Sequence, residues 1–155
     1  GLSSDALVSM AKDGEANVQF NNVRVPLNAR VGSSTQGNAI ALEVMDFSAL
    51  LYASMMAGAG RRTLDMAVAH AKQREAFGQP IGAFQAIQHL CANMVNAIDG
   101  TTLLAREALW RIDQKLPYRV NVAQAKSFGN EQCMMVVLSS RVRSPSFTSA
   151  IFSQM

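Results

Sequence analysis

The stretch that decides the fold is Arg74-Glu75-Ala76-Phe77-Gly78-Gln79-Pro80-Ile81-Gly82-Ala83-Phe84-Gln85. Gly78, Pro80 and Gly82 forbid a regular helix through it, because proline removes a backbone donor and glycine loosens the chain. The residues on either side read as helix. Upstream, Ile40, Val44, Phe47, Leu51, Met55, Gly58 and Arg62 recur three or four apart, and Met66 and Ala69 continue the series. Leu50, Leu64, Val68 and Ala71 widen this apolar face. The spacing predicts a helix from about Asn38 to Lys72, about 50 Å long at 1.5 Å per residue. Gly58 and Gly60 each weaken such a helix by roughly 1 kcal/mol relative to alanine. With Ala57 and Ala59 they form a small-residue patch, which predicts a close helix crossing there.

Downstream of the turn, Ile87, Cys91, Met94, Ile98, Leu104 or Ala105, Leu109 and Ile112 predict a second helix, about Ala83 to Gln114, stopped by Lys115-Leu116-Pro117. Asp99 and Gly100 interrupt its stripe, which predicts a kink or a polar contact with a neighbouring helix. A third helix begins near Val120 and runs through Ala123, Lys126, Glu131, Cys133 and Val137, with Lys126 and Glu131 read as a solvated or interhelical pair. Three long helices joined by short turns pack antiparallel, so the fold class is mainly α, an up-down helical bundle.

The first 32 residues differ. Val18-Gln19-Phe20 and Val23-Arg24-Val25-Pro26 alternate apolar and polar around Asn21-Asn22, and Asp13-Gly14 is a second turn signal after the run Ala6 to Met10. Two short strands are expected, with Pro26 ending the second. Two strands do not stand alone in water, so they read as the end of a larger, incomplete β domain. The expected organisation is 1–32 for these strands, 33–143 for an incomplete helical bundle and 144–155 for a serine-rich tail without periodicity.

Composition excludes several classes. The 155 residues are 49% hydrophobic and 16% charged, well short of a disordered polyelectrolyte. Nine methionines and 6% aromatics suit helical packing better than a β-sandwich. The net charge of +3 is scattered over Arg24, Arg61, Lys72, Arg106 and others, without the basic-aromatic face of a nucleic-acid binder. Cys91 and Cys133 are too few and too far apart for a disulfide scaffold or metal motif, and His70 and His89 lack metal-ligand spacing. They imply a reduced, cytoplasmic setting, or a mitochondrial matrix in a eukaryote. The longest uncharged apolar run, Phe47 to Gly60, reads as too short to span a bilayer.

The turn from Arg74 to Gln85 also carries chemistry. Arg74 offers a planar fork suited to phosphate oxygens. Phe77 offers a ring to a flat heterocycle, and Gln85 one amide. A grip on a nucleotide-like cofactor is one outcome. The other is an ordinary helix-helix turn, with a solvated Arg74 and Phe77 buried as a plug.

The segment Ala69 to Ala86, carrying A-x-x-R-x-x-F-G-x-P-I-x-x-F-Q, resembles the acyl-CoA dehydrogenase family, where such a run joins the first two helices of the C-terminal four-helix bundle. Val18 to Gly32 resembles the end of that family's middle β domain, Asp65 to Ala69 the end of its first bundle helix, and Ala123 to Glu131 the start of its third. The resemblance covers about residues 5 to 137. It implies FAD as cofactor, and oxidation of the Cα–Cβ bond of an acyl-CoA thioester. A glutamate takes the α proton while hydride leaves the β carbon for the flavin. It also implies a homo-oligomer, commonly a dimer of dimers, reoxidised by an electron-transfer flavoprotein-type acceptor. Carried over, Arg74 faces the FAD pyrophosphate, Phe77 its adenine region and Gln85 a phosphate or ribose oxygen of a neighbouring subunit's cofactor. Asp46 takes a substrate-contact position.

Departures from the family pattern are equally specific. Ala49 stands where medium-chain-like members carry an arginine. Ser48, a poor base, stands where some members place the catalytic glutamate, so no residue is assigned as the base. Arg141 to Ser146 stand where a H-G-G-x-G-type turn is expected. On this resemblance the chain carries part of the middle domain and three of the four bundle helices. By itself it is expected neither to hold FAD tightly nor to dehydrogenate acyl-CoA. The alternative is a non-catalytic helical module for interaction or oligomerisation.

Overall fold

A computed structural model describes residues 1–9 and 14–141. Its elements are β1 (Leu2–Ala6), β2 (Ala16–Phe20), α1 (Gly37–Gln73), β3 (Glu75–Ala76), β4 (Gln79–Pro80), α2 (Gln85–Asp113) and α3 (Arg119–Arg141). The expected tail, 144–155, lies outside the described residues. The chain divides into two compact units, one ending at Ala41 and the other starting at Leu42, inside α1.

In the N-terminal unit, β1 and β2 pair antiparallel from Leu2↔Phe20 to Ala6↔Ala16. Every residue of both strands is exposed. The expectation of a strand at Val23–Pro26 is corrected, because this segment forms no strand pairing among the described residues and leads into a 3-10 turn at Leu27–Ala29. The hairpin partner of β2 comes from before Gly14, which has φ +73°. The Asn21-Asn22 pair (Asn22 φ +47°) instead bends the chain out of the hairpin. Gly32, at φ +74°, turns the linker where a β-carbon would lie 2.6 Å from Ile40 Cδ1.

The helical unit matches the expected three-helix architecture, but the expected apolar face of α1 splits, with Leu50, Leu64 and Ala71 buried and much of the main stripe exposed. Its buried residues are Leu50, Ala53, Ala57, Gly60, Thr63, Leu64, Ala67 and Ala71. The expected stripe points outward: Val44 is 58% exposed, Leu51 65% and Met55 67%. Small side chains won the core because they let helix backbones come close, which large ones prevent. One cluster joins Leu50 and Ala53 of α1 to Ala105, Ala108, Val122 and Ala125. A second joins Leu64 and Ala67 to Met94, Ala97, Ile98 and Val136. In α2, Ala108 rather than Leu109 is buried, and in α3 Val122 and Ala125 rather than Ala123.

Glycines mark the crossings. A β-carbon on Gly60 would lie 3.1 Å from Ile98 Cγ1 and 3.8 Å from Cys133 Sγ. On Gly100 it would meet Phe128 Cε1 at 2.8 Å, so this residue makes room for a ring of α3 rather than a polar contact. On Gly129 it would meet Thr101 Cγ2 at 3.1 Å and Met56 Cε at 3.2 Å, where all three helices converge. Gly58, expected at the same crossing, faces open space.

The helix ends follow local chemistry. Lys115 adopts φ +55°, its N–H bonds Ile112 O (3.0 Å), and Leu116 N–H bonds Arg111 O (2.9 Å). This is a Schellman-type stop with lysine in the place glycine usually takes, and Pro117 prevents continuation. Lys126 donates to Asn130 of its own helix rather than pairing with Glu131. At 37 residues, with a mean hydropathy of 1.4 over 18 of them, α1 is long and apolar enough to cross a membrane by length and composition. The expectation of too short a stretch is corrected, because the apolar helix continues beyond the uncharged run Phe47 to Gly60.

Candidate functional site

The turn after α1 is a miniature β-hairpin. Glu75 pairs with Pro80 and Ala76 with Gln79, leaving Phe77 and Gly78 as its two central residues. Both have positive φ, +55° and +80°. That is the signature of the type I′ class, whose twist matches short antiparallel strands and whose usual residues are asparagine and glycine. A phenylalanine there costs roughly 1–2 kcal/mol. Yet its ring is 96% exposed, so burial does not repay the strain. The buried-plug reading of Phe77 is therefore corrected. The ring lies edge-on to Phe84, with centroids 6.1 Å apart and planes at 88°.

Arg74 sits at the root of the hairpin. Its N–H bonds His70 O (2.9 Å) at the end of α1, and its carbonyl accepts from Ile81 N–H (2.8 Å). Backbone bonds thus fix its position while its side chain is exposed. The 3-10 turn Ile81–Ala83 then packs so closely on α1 that a β-carbon on Gly82 would lie 3.1 Å from Ala71 O. Gln88 braces it by donating to Gly82 O (3.1 Å). Gln85, exposed, opens α2 behind Phe84, an N-cap residue that makes no side-chain cap, and the first turn of α2 carries no acidic residue. A helix start of this kind favours an anion through its aligned N–H groups.

Arg74, Phe77 and Gln85 therefore share one rigid turn with their side chains exposed. Asp46 does not join them. It lies 27 residues before the last residue of α1, Gln73, about 40 Å along the axis at 1.5 Å per residue. Its Oδ2 is 2.9 Å from Arg119 Nε, an ion pair whose angle falls short of a hydrogen bond. Arg119 is half of this arrangement, and sequence reasoning missed it because nothing local links α1 to the start of α3. Phe84 and Gln88 were missed as supports, although both lie in or beside the quoted motif. Ser48, at the candidate base position, donates its hydroxyl to Val44 O (2.8 Å), one turn back in its own helix.

Residues 35–140 match the family model described as acyl-CoA dehydrogenase, C-terminal domain. The chain belongs to the acyl-CoA dehydrogenase family. One solved structural neighbour is PigA with FAD and proline, at 24% identity and a TM-score of 0.81, over 90% of this chain and 37% of that chain. The chain is 35% identical over 116 residues to the probable acyl-CoA dehydrogenase YngJ of Bacillus subtilis, covering 75% of this chain and 30% of that protein. It is 30% identical over 118 residues to subunit CarC of the caffeyl-CoA reductase-Etf complex of Acetobacterium woodii, covering 76% of this chain and 31% of that one. Among solved structures it is similar to butyryl-CoA dehydrogenase from Megasphaera elsdenii, at 26% identity and a TM-score of 0.84, over 90% of this chain and 37% of that chain. The acyl-CoA dehydrogenase-family chain in hand thus spans about a third of the length of these proteins.

Proposed function

We propose that this chain supplies part of the helical domain of an FAD-dependent enzyme that introduces a Cα–Cβ double bond into an acyl-CoA thioester. The observation that carries the cofactor assignment is Phe77, held exposed in a backbone conformation that phenylalanine disfavours. Strain without burial implies a use for the ring outside the chain. Arg74 would hold the FAD pyrophosphate through its guanidinium fork, aided by the uncapped start of α2. Phe77 would lie against the adenine region, and Gln85 would bond a phosphate or ribose oxygen.

When bound, the flavin supplies a hydride acceptor. The chain's own part is to anchor the cofactor's phosphates and to offer Asp46, positioned by Arg119, near substrate. A single FAD cannot bridge the roughly 40 Å of helix between Asp46 and the turn. We therefore assign the two to different active sites of a homo-oligomer, so that the turn serves a neighbouring subunit's cofactor. Ser48 is a poor proton acceptor with its hydroxyl spent on Val44 O, so the base comes from elsewhere in the enzyme. The name of the Acetobacterium relative supports an electron-transfer flavoprotein as the acceptor. A reducing compartment, cytoplasm or mitochondrial matrix, suits two cysteines held as thiols.

The test is an NMR titration of the 155-residue chain with FAD, ADP and riboflavin. FAD and ADP are expected to shift amides of residues 74–85, and riboflavin, lacking the pyrophosphate, is not. Arg74→Ala should weaken the response at least tenfold, the loss expected for a charge-assisted bond of about 1.5–3 kcal/mol. Binding should stay too weak to retain flavin through purification. Shifts confined to other residues, or equal responses to riboflavin, would remove the assignment.

A further inference from the structure

Asp46, in the third turn of α1, and Arg119, the first residue of α3, meet side chain to side chain, and the contact is lopsided. Asp46 Oδ2 is buried and lies 2.9 Å from Arg119 Nε. The 23% of the Asp46 side chain that stays exposed therefore lies away from Oδ2, and Oδ1 is the acceptor an outside group can reach. The Arg119 side chain is 59% exposed, and no described residue other than Asp46 engages its guanidinium. The pair thus occupies one edge of the fork and leaves the terminal nitrogens to an outside acceptor.

Arg119 is also one wall of a recess of about 640 Å³ at the α2–α3 turn, shared with Arg111, Lys115, Leu116, Pro117 and Tyr118. None of the lining residues is acidic. Glu107, on the adjoining turn of α2, is taken up by Arg111 Nε (3.0 Å) and Asn121 Nδ2 (3.0 Å). Lys115 is exposed and makes no ion pair with a described residue, and its backbone is fixed by the bond from its N–H to Ile112 O (3.0 Å). The first turn of α3 carries no acidic residue, so its aligned N–H groups add to the positive field.

A ligand that fits must carry a phosphate for Arg119 and Lys115 and, a few atoms away, a hydroxyl or amide N–H for Asp46 Oδ1. The 4′-phosphopantetheine arm of an acyl-CoA has this order, since its phosphate ester is followed by a pair of methyl groups, a hydroxyl and an amide N–H. We propose that Arg119 and Asp46 together read this arm. Arg119 takes the phosphate with Lys115, through the planar fork that suits phosphate oxygens. Asp46 Oδ1 accepts from the hydroxyl or the amide, and the methyl groups lie against Leu116 and Pro117. Arg119 is then a substrate-binding residue in its own right, beyond holding Asp46, and the pair selects phosphorylated pantetheine thioesters over unphosphorylated ones. The inference rests on the assignment of Asp46 to the substrate site.

The test is an NMR titration of the 155-residue chain with CoA, 4′-phosphopantetheine, pantetheine and inorganic phosphate. CoA and phosphopantetheine are expected to shift amides of residues 46–49 and 115–121. Pantetheine should bind at least tenfold more weakly, the difference expected for charge-assisted hydrogen bonds, and inorganic phosphate should shift 115–121 alone. Arg119→Ala should abolish the preference for the phosphorylated arm. Its circular dichroism and thermal midpoint should stay close to wild type, because an ion pair this open contributes little to stability. Arg106→Ala, the same loss of charge at an exposed α2 residue outside the recess, should keep the preference. Equal responses to pantetheine and phosphopantetheine, shifts at 46–49 reproduced by inorganic phosphate, or a preference that survives Arg119→Ala would overturn the proposal and leave Asp46 at the substrate site. Shifts that spare 46–49 with every ligand would remove the Asp46 assignment and the proposal with it.

Discussion

Replacing Phe77 by asparagine separates stability from function at the turn. The wild-type residue holds φ +55°, which costs an ordinary L-residue about 1–2 kcal/mol. Asparagine tolerates this region, and Asn-Gly is the favoured pair for a two-residue hairpin of this class. The lost ring is 96% exposed, so little burial goes with it. What goes is the edge contact to Phe84, for which a well-packed pair gives about 0.5–1.5 kcal/mol and an exposed one less. The balance favours the variant by about 1 kcal/mol. For a chain of this length that is a rise in Tm of about 2–4 °C, read by circular dichroism. The same variant removes the aromatic platform, so the FAD-induced shifts at residues 74–85 should weaken even as the fold gains stability. An unchanged or lower Tm would refute the reasoning, because it would mean that the ring stabilises the turn and that its conformation stores no strain.

Two further outcomes test the core. Leu50→Ala, at a residue 2% exposed among Ala53, Ala105, Ala108, Val122 and Ala125, should cost about 3 kcal/mol in urea unfolding, and a loss under about 1 kcal/mol would show that this cluster is not well packed. Burial pushes the Cys133 thiol above its ordinary range, partly offset by a hydrogen bond with Thr101. Its proton is therefore held longer in the native state than in the unfolded one. Above the ordinary thiol value of 9.0 the unfolded chain ionises first, so stability should fall as pH rises toward the native value. Cys133→Ala should flatten that alkaline decline, measured as urea midpoint against pH, and an identical slope would show that other groups cause it.

The helices were legible in the sequence, their faces less so. Periodicity placed α1, α2 and α3 within a few residues of their ends, because Pro80, Gly82 and Pro117 punctuate them unambiguously. On α1 it drew the apolar face too wide, joining the buried Leu50, Leu64 and Ala71 to an exposed stripe, because hydrophobicity scales reward large side chains. Helices that cross at Gly60 and Gly129 select for small ones. The split could have been found by asking which face lets a backbone approach, rather than which is most apolar. The N-terminal hairpin was misread for a related reason. Asn21-Asn22 is a good turn pair, but a strand also needs a partner, and Val23–Pro26 has none among the described residues. At the site, residue types identified Arg74, Phe77 and Gln85, while the decisive property of Phe77, its exposure at positive φ, belongs to the pairing of Glu75 with Pro80. Arg119 was invisible because its partner, Asp46, is remote in sequence.

The exceptions to local rules fall in one place. Inside the bundle every close glycine has a neighbour that needs the space, and the buried threonine Thr101 bonds Ala97 O (2.8 Å). Core and local preference agree there, as they do in sequences that fold to one state. Phe77 at positive φ, Gly58 without a neighbour and the large outward residues of α1 disagree with local preference, and all of them face away from the bundle. Errors of packing would fall at random between inside and outside. Exceptions confined to the outside are what a chain shows when its surfaces answer to other molecules.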